Sequence, residues 1–384
     1  MIKILFFVFW LVNSHDSHRV HATLIDDFEI ERQLQVINKP SVKSIQTEFG
    51  YVVDCVDIYK QLAFDHPLLK DHKLQRKPSF RNSFEKTSMK KSSNQLIFEL
   101  QKEKCPRGTV PIRRTTKDCL IQRRSSFYNQ SMVQDVPGLH MAEIYVKPSY
   151  GPFYKVKGSN NIYNPRLMKN NQESISHIWV ENGGNNKIAF GWHVAPLIYR
   201  GDTGTHIFSA WTSDNFKHTG CYDLQCSGFV QVNQFHYIGS RMSKTSIYGN
   251  TSIESTISIT MDPQTENWWL NIAGRDIGYY PAKLFSNMSS AERVGWGGRT
   301  MTHHGIPSPQ MGSGYFPDQN FVHAAYFKFI SIQDQVRKDL EPDTDMTETL
   351  ADKPNCFNAQ HFGALGRDVG NSLQFGGPGG ECGD

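Results

Sequence analysis

Gly191-Trp192-His193-Val194-Ala195-Pro196-Leu197-Ile198-Tyr199, then Phe208-Ser209-Ala210-Trp211-Thr212-Ser213-Asp214, then Thr219-Gly220-Cys221-Tyr222-Asp223-Leu224-Gln225-Cys226-Ser227-Gly228-Phe229-Val230-Gln231 carry the reading of this 384-residue chain. Short apolar runs, a Gly201-Asp202-Thr203-Gly204 turn and a tight cysteine pair predict extended strands joined by hairpins, with one turn stapled. Working outward, Ile253, Ile257, Ile259 and Met261 fall on one face of a strand, and Trp268, Leu270 and Ile272 on one face of the next. Asp262-Pro263-Gln264-Thr265 turns between them, as a half-buried antiparallel hairpin requires. Similar runs occur at Ala142–Lys147, His177–Val180, Ile207–Trp211, Phe229–Tyr237 and Ala325–Ile330, separated by Gly, Asn and Pro. The pattern predicts an all-β, antiparallel β-sandwich with few helices, preceded by a smaller basic domain.

The termini set the compartment. Lys3, the apolar run Ile4–Val12 and Val20-His21-Ala22 read as a secretory signal peptide cleaved after Ala22. No later segment approaches the roughly 20 apolar residues of a membrane-spanning helix. The expected product is secreted. Asn129-Gln130-Ser131, Asn250-Thr251-Ser252 and Asn287-Met288-Ser289 are glycosylation sequons that fit this route. Seven cysteines in an oxidising compartment favour disulfides over zinc, and neither a metal nor a cofactor is expected. Cys221 is assigned to Cys226, Cys356 to Cys382 and Cys55 to Cys105, leaving Cys119 over; spacing alone does not prove this connectivity.

Charge divides the chain. Residues 1–129 hold 22 Lys+Arg against 14 Asp+Glu, and residues 130–384 hold 19 against 23, so about +8 faces about −4 within a net +4. Two mutually attracting units are implied. Lys86–Lys91, with Lys90-Lys91 and the serines Ser88, Ser92 and Ser93 in and beside it, reads as an exposed linker. Aromatics do not alternate with the basic residues, which argues against a nucleic-acid groove. The common catalytic signatures are missing too. There is no G-x-S-x-G elbow and no G-x-x-x-x-G-K loop, and His303-His304 lack zincin spacing. Gly376-Gly377-Pro378-Gly379-Gly380 reads as an irregular tail held by Cys356 and Cys382.

As whole strings these blocks resemble the plant neprosin family, secreted glutamic endopeptidases that cleave at proline. Upstream, Asp54–Gln61, Ala63–Leu69 and Cys105–Arg114 resemble the family's activation region. The resemblance implies three parts: a signal peptide (1–22), an activation domain (23–128) ending near Ser125-Ser126-Phe127-Tyr128, and a catalytic-type β-sandwich (129–384). It further implies two catalytic glutamates, one to deprotonate water and one to assist the leaving group or oxyanion. Neither position keeps its carboxylate. The first falls on Ala189, in Ile188-Ala189-Phe190-Gly191-Trp192. The second falls on Gly295 or Arg299, in Gly295-Trp296-Gly297-Gly298-Arg299, with Arg299 the favoured match. Gln310–Gly314 and Phe316–Asp318 secure the register downstream.

Glu181 is the nearest substitute carboxylate, although Asn182-Gly183-Gly184 after it makes a solvated turn residue the plainer reading. Trp192, Trp296, Tyr279 and Tyr280 are candidate groove aromatics for a proline-rich peptide or a cell-wall polymer. Trp268 and Trp269 face opposite sides of one strand, so one of them is a surface or groove candidate. The sequence therefore supports a non-catalytic peptide- or wall-binding homologue. The alternative is an active acid endopeptidase with a rearranged carboxylate dyad, released when acid weakens the attraction between the two units. A carbohydrate-binding wall protein would rest on fold analogy alone.

Overall fold

The computed structural model describes residues 27–80, 99–100, 103–124, 136–303 and 305–382. The signal segment, the Lys86–Lys91 linker, Asn129, the Ser125–Tyr128 boundary and His304 lie outside them. A small N-terminal unit holds a helix α1 (27–37), strands β1 (Ser41–Gln46), β2 (Val52–Asp57) and β3 (Thr109–Arg113) in the order β1-β2-β3, and a helix α2 (Lys117–Arg124). The Cys55–Cys105 disulfide closes this unit.

Two larger sheets follow. One has seven strands. They are β4 (Leu139–Val146), β6 (Glu173–Asn182), β7 (Asn186–Val194), β8 (His206–Thr212), β9 (Cys221–Tyr222), β14 (Arg293–Met301) and β17 (Thr347–Ala351), in the order β17-β4-β14-β6-β7-β8-β9. The other contains β5 (Lys155–Asn161), β10 (Val230–Gln231), β11 (Glu254–Met261), β12 (Trp268–Ile272), β13 (Arg275–Tyr280), β15 (Ala325–Gln333), β18 (Asn358–Ala364) and β19 (Asn371–Gly376). Its order is β10-β13-β12-β11-β5-β15-β19-β18, with β16 (Asp339–Leu340) attached to β15. All pairings between named strands are antiparallel, and the molecule is an all-β sandwich.

Alternation explains the core. Ile188, Phe190 and Trp192 of β7 and Ile178 and Val180 of β6 meet Ile257, Ile259, Leu270 and Phe327 of the opposing sheet in one buried cluster. The β11–β12 hairpin forms as its period-2 pattern demands, with Ile257, Ile259 and Met261 opposite Ile272, Leu270 and Trp268. The Cys221–Cys226 and Cys356–Cys382 disulfides are present, and Cys119 is unpaired and buried. One expected strand shrinks. Of Phe229–Tyr237 only Val230–Gln231 pairs, because the Val232 and Asn233 amides both bond the Ile277 carbonyl and the Asn233 side chain caps the Phe235 and His236 amides, which turns the chain away.

The N-terminal unit is packed on, not merely attracted. Leu69 enters the main core fully buried, on a short 3-10 turn that meets the Ala282–Leu284 turn. Gln61 pairs with the main chain of Gln231 in both directions, at 3.0 and 2.8 Å. Asp262, in the β11–β12 turn, accepts from the Ser79 amide and hydroxyl and from Gln75 at 2.5, 2.6 and 2.8 Å. The expected charge attraction is not what joins the units. Among the described residues the ion pairs of the N-terminal unit stay within it, such as Arg114–Asp54 and Lys43–Glu103, while Arg113 and Lys104 approach aromatic rings of the sandwich. At the junction Asp262 accepts from neutral donors and Asp202 from Tyr51 and from Arg241 of the sandwich itself, while Arg113 and Lys104 lie over π faces.

Truncating Leu69 therefore tests the docking: Leu69→Ala is expected to cost about 2–5 kcal/mol of stability, measured by denaturant unfolding. A surface-like cost below about 0.5 kcal/mol would contradict a shared core.

Candidate functional site

Strands β6, β7, β8 and β14 are buried along nearly their whole length, on both faces. Their core-facing residues are mostly apolar, with Ser176 and Ser209 bonded to Asn160 and Tyr280 of the opposing sheet. The opposite face carries the chemistry. Ala189 on β7 lies opposite Trp179 on β6, which lies opposite Gly295 on β14, so the three form one row across the sheet. Ala189 and Gly295 are thus two strand spacings apart, about 10 Å, whereas Arg299 is four residues along its strand from Gly295, about 13 Å. Gly295 shares the row of Ala189, and Arg299 lies further along β14. The indole of Trp179 fills the ground between them: a β-carbon on Gly295 would lie 2.6 Å from its ring. No side chain of any size fits at 295 unless that indole moves.

The next row holds a buried ion pair. Glu143 on β4 and His177 on β6 flank Gly297 of β14, and Arg299 reaches back to Glu143. Its Nε donates to Glu143 Oε1 at 2.5 Å and its Nη2 to Oε2 at 3.2 Å, while His177 Nε2 lies 2.8 Å from Oε1. All three side chains are at most 1% exposed. Burial alone would raise the Glu143 carboxyl, but the Arg299 charge and the His177 hydrogen bond hold it far below the usual carboxylate range. Burial pushes His177 down to about 4, so the ring is neutral near pH 7. Its Nε2 proton goes to Glu143, and Nδ1 has no hydrogen-bond partner.

Glu181 is not a solvated turn residue. It closes β6 with its side chain 10% exposed, bound to Arg293 and 3.5 Å from Lys187. These cations overcome the upward push of burial and lower its carboxyl. Lys187 in turn lies 4.8 Å from the Trp179 ring centroid, and burial brings its ammonium down to about 8.

A second network was not signalled by the sequence. His193 on β7 sits with Nδ1 2.8 Å from Glu173 and Nε2 2.7 Å from the Tyr199 hydroxyl, which is 2.7 Å from Asp223. Burial lowers His193 to about 4 and raises Asp223. The Tyr199 hydroxyl donates to Asp223, and neutral His193 bridges Glu173 and Tyr199, so four polar side chains form one continuous buried path. The N-terminal unit covers this end: Arg113 lies 4.2 Å from the Tyr199 ring centroid, and the Tyr51 hydroxyl bonds Asp202 at 2.7 Å.

The groove aromatics require correction. Trp192, Trp296, Tyr279 and Tyr280 are all buried. The Trp192 and Trp296 indoles point into the core and donate to the Asn161 and Lys157 carbonyls, and the Tyr280 hydroxyl bonds Ser209. Trp268 lies in the main core, as one of the tryptophan pair must. Trp269 and Tyr279 face the other way, and Ala63, Phe64 and Leu74 of the N-terminal unit cover them. Consecutive strand residues do face opposite sides, and here both sides are dry. Among the described residues no group of three or more His, Cys, Asp or Glu side chains is placed to hold a metal, and no helix is long and apolar enough to cross a membrane.

Residues 170–378 match the Neprosin family and residues 44–135 match the Neprosin activation peptide. The chain belongs to the neprosin family. Its neprosin region covers the two sheets from β6 through β19, and its activation-peptide region covers the N-terminal unit from within β1. The chain is also similar to the crystal structure of scytalido-glutamic peptidase with a transition state analog inhibitor, at 9% identity over 63% of this chain and 98% of that one, with a TM-score of 0.34. A functionally unknown protein from Saccharomyces cerevisiae matches at 12% identity over 44% and 62%, with a TM-score of 0.18.

Two predictions follow from the charges on this neprosin-family sheet. Arg299→Met should cost about 3–5 kcal/mol by stranding a buried carboxylate, and adding Glu143→Leu should recover most of it; urea unfolding of both variants checks this, and equal losses would refute the pairing. Burial pushes His177, His193 and His236 down to about 4, and pushes His206 well below its usual range. Their contribution is complete above about pH 6.5 and is lost as pH falls toward 4, because there the unfolded chain binds protons the fold refuses. Each should lower stability by on the order of 1.4 kcal/mol per pH unit in that window. A thermal midpoint that stays level from pH 7 to pH 4 would contradict it.

Proposed function

We propose that this chain is a secreted neprosin-family protein that binds peptide on the outer face of its seven-stranded sheet without cleaving it. One observation carries the reading. The row that would hold two opposed carboxylates is Ala189-Trp179-Gly295, and the nearest carboxylates to it, Glu143 and Glu181, are each held by cations. A carboxylate locked to a buried guanidinium accepts a proton only at a large energetic cost, so it serves poorly as a general base near its working pH.

The binding half of the reading rests on what already covers this face. Tyr51, with Phe49 beside it, belongs to the turn between β1 and β2 and joins a cluster with Trp179, Ala189, Tyr199 and Phe208. A peptide segment of the chain itself thus rests on an aromatic surface beside the Ala189 row. Aromatic faces suit extended, proline-containing peptides for the same reason. In this reading the N-terminal unit masks the surface until it is removed.

The Glu173–His193–Tyr199–Asp223 chain favours a second reading, an acid endopeptidase working through a rearranged pair of carboxylates. Glu173 and Asp223 are joined by groups that can pass a proton, and Arg113 of the N-terminal unit lies over Tyr199.

The two readings part in one assay, in which full-length protein, acid-treated to free the N-terminal unit, is given a proline-containing fluorogenic peptide at pH 3 to 5. The expected outcome is saturable binding of the peptide with no turnover above buffer. Turnover that disappears in Asp223→Asn would establish the second reading. Neither binding nor turnover would overturn both.

A further inference from the structure

Away from both networks, a ring stack stands in solvent. Tyr248 lies nearly parallel to Tyr315, with centroids 3.8 Å apart and planes at 23°, and to His323 at 4.8 Å and 18°. Tyr248 is 42% exposed and Tyr315 47%, with Ile247 and Phe316 exposed nearby in sequence. Stacked rings in water normally collapse onto a core; these are held out by polar scaffolding. His323 Nδ1 is 2.6 Å from Asp318 and its Nε2 3.2 Å from Asn320, and the Gly249 amide donates to the Val322 carbonyl at 2.8 Å.

Tyr248 sits inside a tight turn. The Asn250 amide bonds the Ile247 carbonyl at 3.1 Å, the Ile247 amide bonds the Thr251 carbonyl at 2.8 Å, and Gly249 supplies the positive φ of +68° that the third turn position needs. Asn250 closes that turn with its side chain exposed, and it begins the sequon Asn250-Thr251-Ser252. Its Cα is no more than about 7.6 Å from that of Tyr248, two peptide units away. A pyranose ring presents a face of C–H bonds, which the π face of a tyrosine attracts while the sugar hydroxyls stay in water. Asn287, also an exposed sequon asparagine among the described residues, lies near buried Phe285 and Met288 and has no such exposed ring beside it in sequence.

We propose that Asn250 carries an N-linked glycan whose first N-acetylglucosamine rests on the Tyr248–Tyr315 stack, so that the exposed rings are a platform for the chain's own sugar. The proposal rests on the secreted reading and goes beyond it. The glycan shields about two aromatic faces, and the rings order the glycan in return.

The test uses the full-length protein from a eukaryotic secretory host. Glycopeptide mass spectrometry should find Asn250 occupied. Removing that glycan by Asn250→Gln should lower the melting temperature by a few degrees, and in a Tyr248→Ala, Tyr315→Ala background the same removal should have less than about a third of that effect. An unoccupied Asn250 beside an occupied Asn129 or Asn287 would overturn the proposal and leave secretion standing. An equal melting loss in both backgrounds would also overturn it. So would retention of both glycosylated and Asn250→Gln protein on a polysaccharide affinity gel in a Tyr315-dependent manner, which would assign the rings to a free polymer.

Discussion

Burial of both faces of the central strands β6, β7, β8 and β14 sets the terms for everything built on the seven-stranded sheet. One face packs on the nine-stranded sheet, and the N-terminal unit covers part of the other, so the charges there cannot relax into water. A carboxylate in that position must ionise beside a cation or stay protonated. Glu143 and Glu181 take the first course, through Arg299 and through Lys187 with Arg293. Asp223 is pushed up by burial, although it accepts from Tyr199 and feels the Arg113 charge of the N-terminal unit.

The same constraint explains why the central row is well filled without charge. Ala189 and Gly295 carry none, and the Trp179 indole occupies the space with apolar surface. Arg299 neutralises Glu143, which would otherwise be an unpaired charge in a dry interior. A carboxylate introduced in this row must therefore deal with the indole and the ion pair.

The N-terminal unit supplies part of both cores it touches. Leu69 belongs to the main cluster, Tyr51 to the outer face, and Ala63 to the patch over Trp269 and Tyr279. Its hold on the sandwich is chiefly apolar contact plus hydrogen bonds to Asp262, Asp202 and Gln231. Acid would act on it through the buried imidazoles of His193 and His206 near Arg113 and through Asp262, whose carboxyl, against the upward push of burial, is held below its usual range by the Ser79 and Gln75 hydrogen bonds.

The sandwich, its best hairpin and its cysteine blocks were legible because period-2 alternation and turn chemistry act over a few residues: Ile257, Ile259 and Met261 can bury together only as a strand. The replaced positions Ala189, Gly295 and Arg299 were legible as letters in recognisable strings. Tertiary structure alone decided that Ala189 faces Gly295 across Trp179, because strand order places β14 beside β6 although some 110 residues separate them along the chain. It likewise decided that Glu143, His177 and Arg299 converge. Their only local trace is a polar residue interrupting an apolar run, which reads equally well as a solvated face. Burial of Trp269 and Tyr279 was also beyond local reading, because alternation tells which residues share a side but not whether a second unit lies on it.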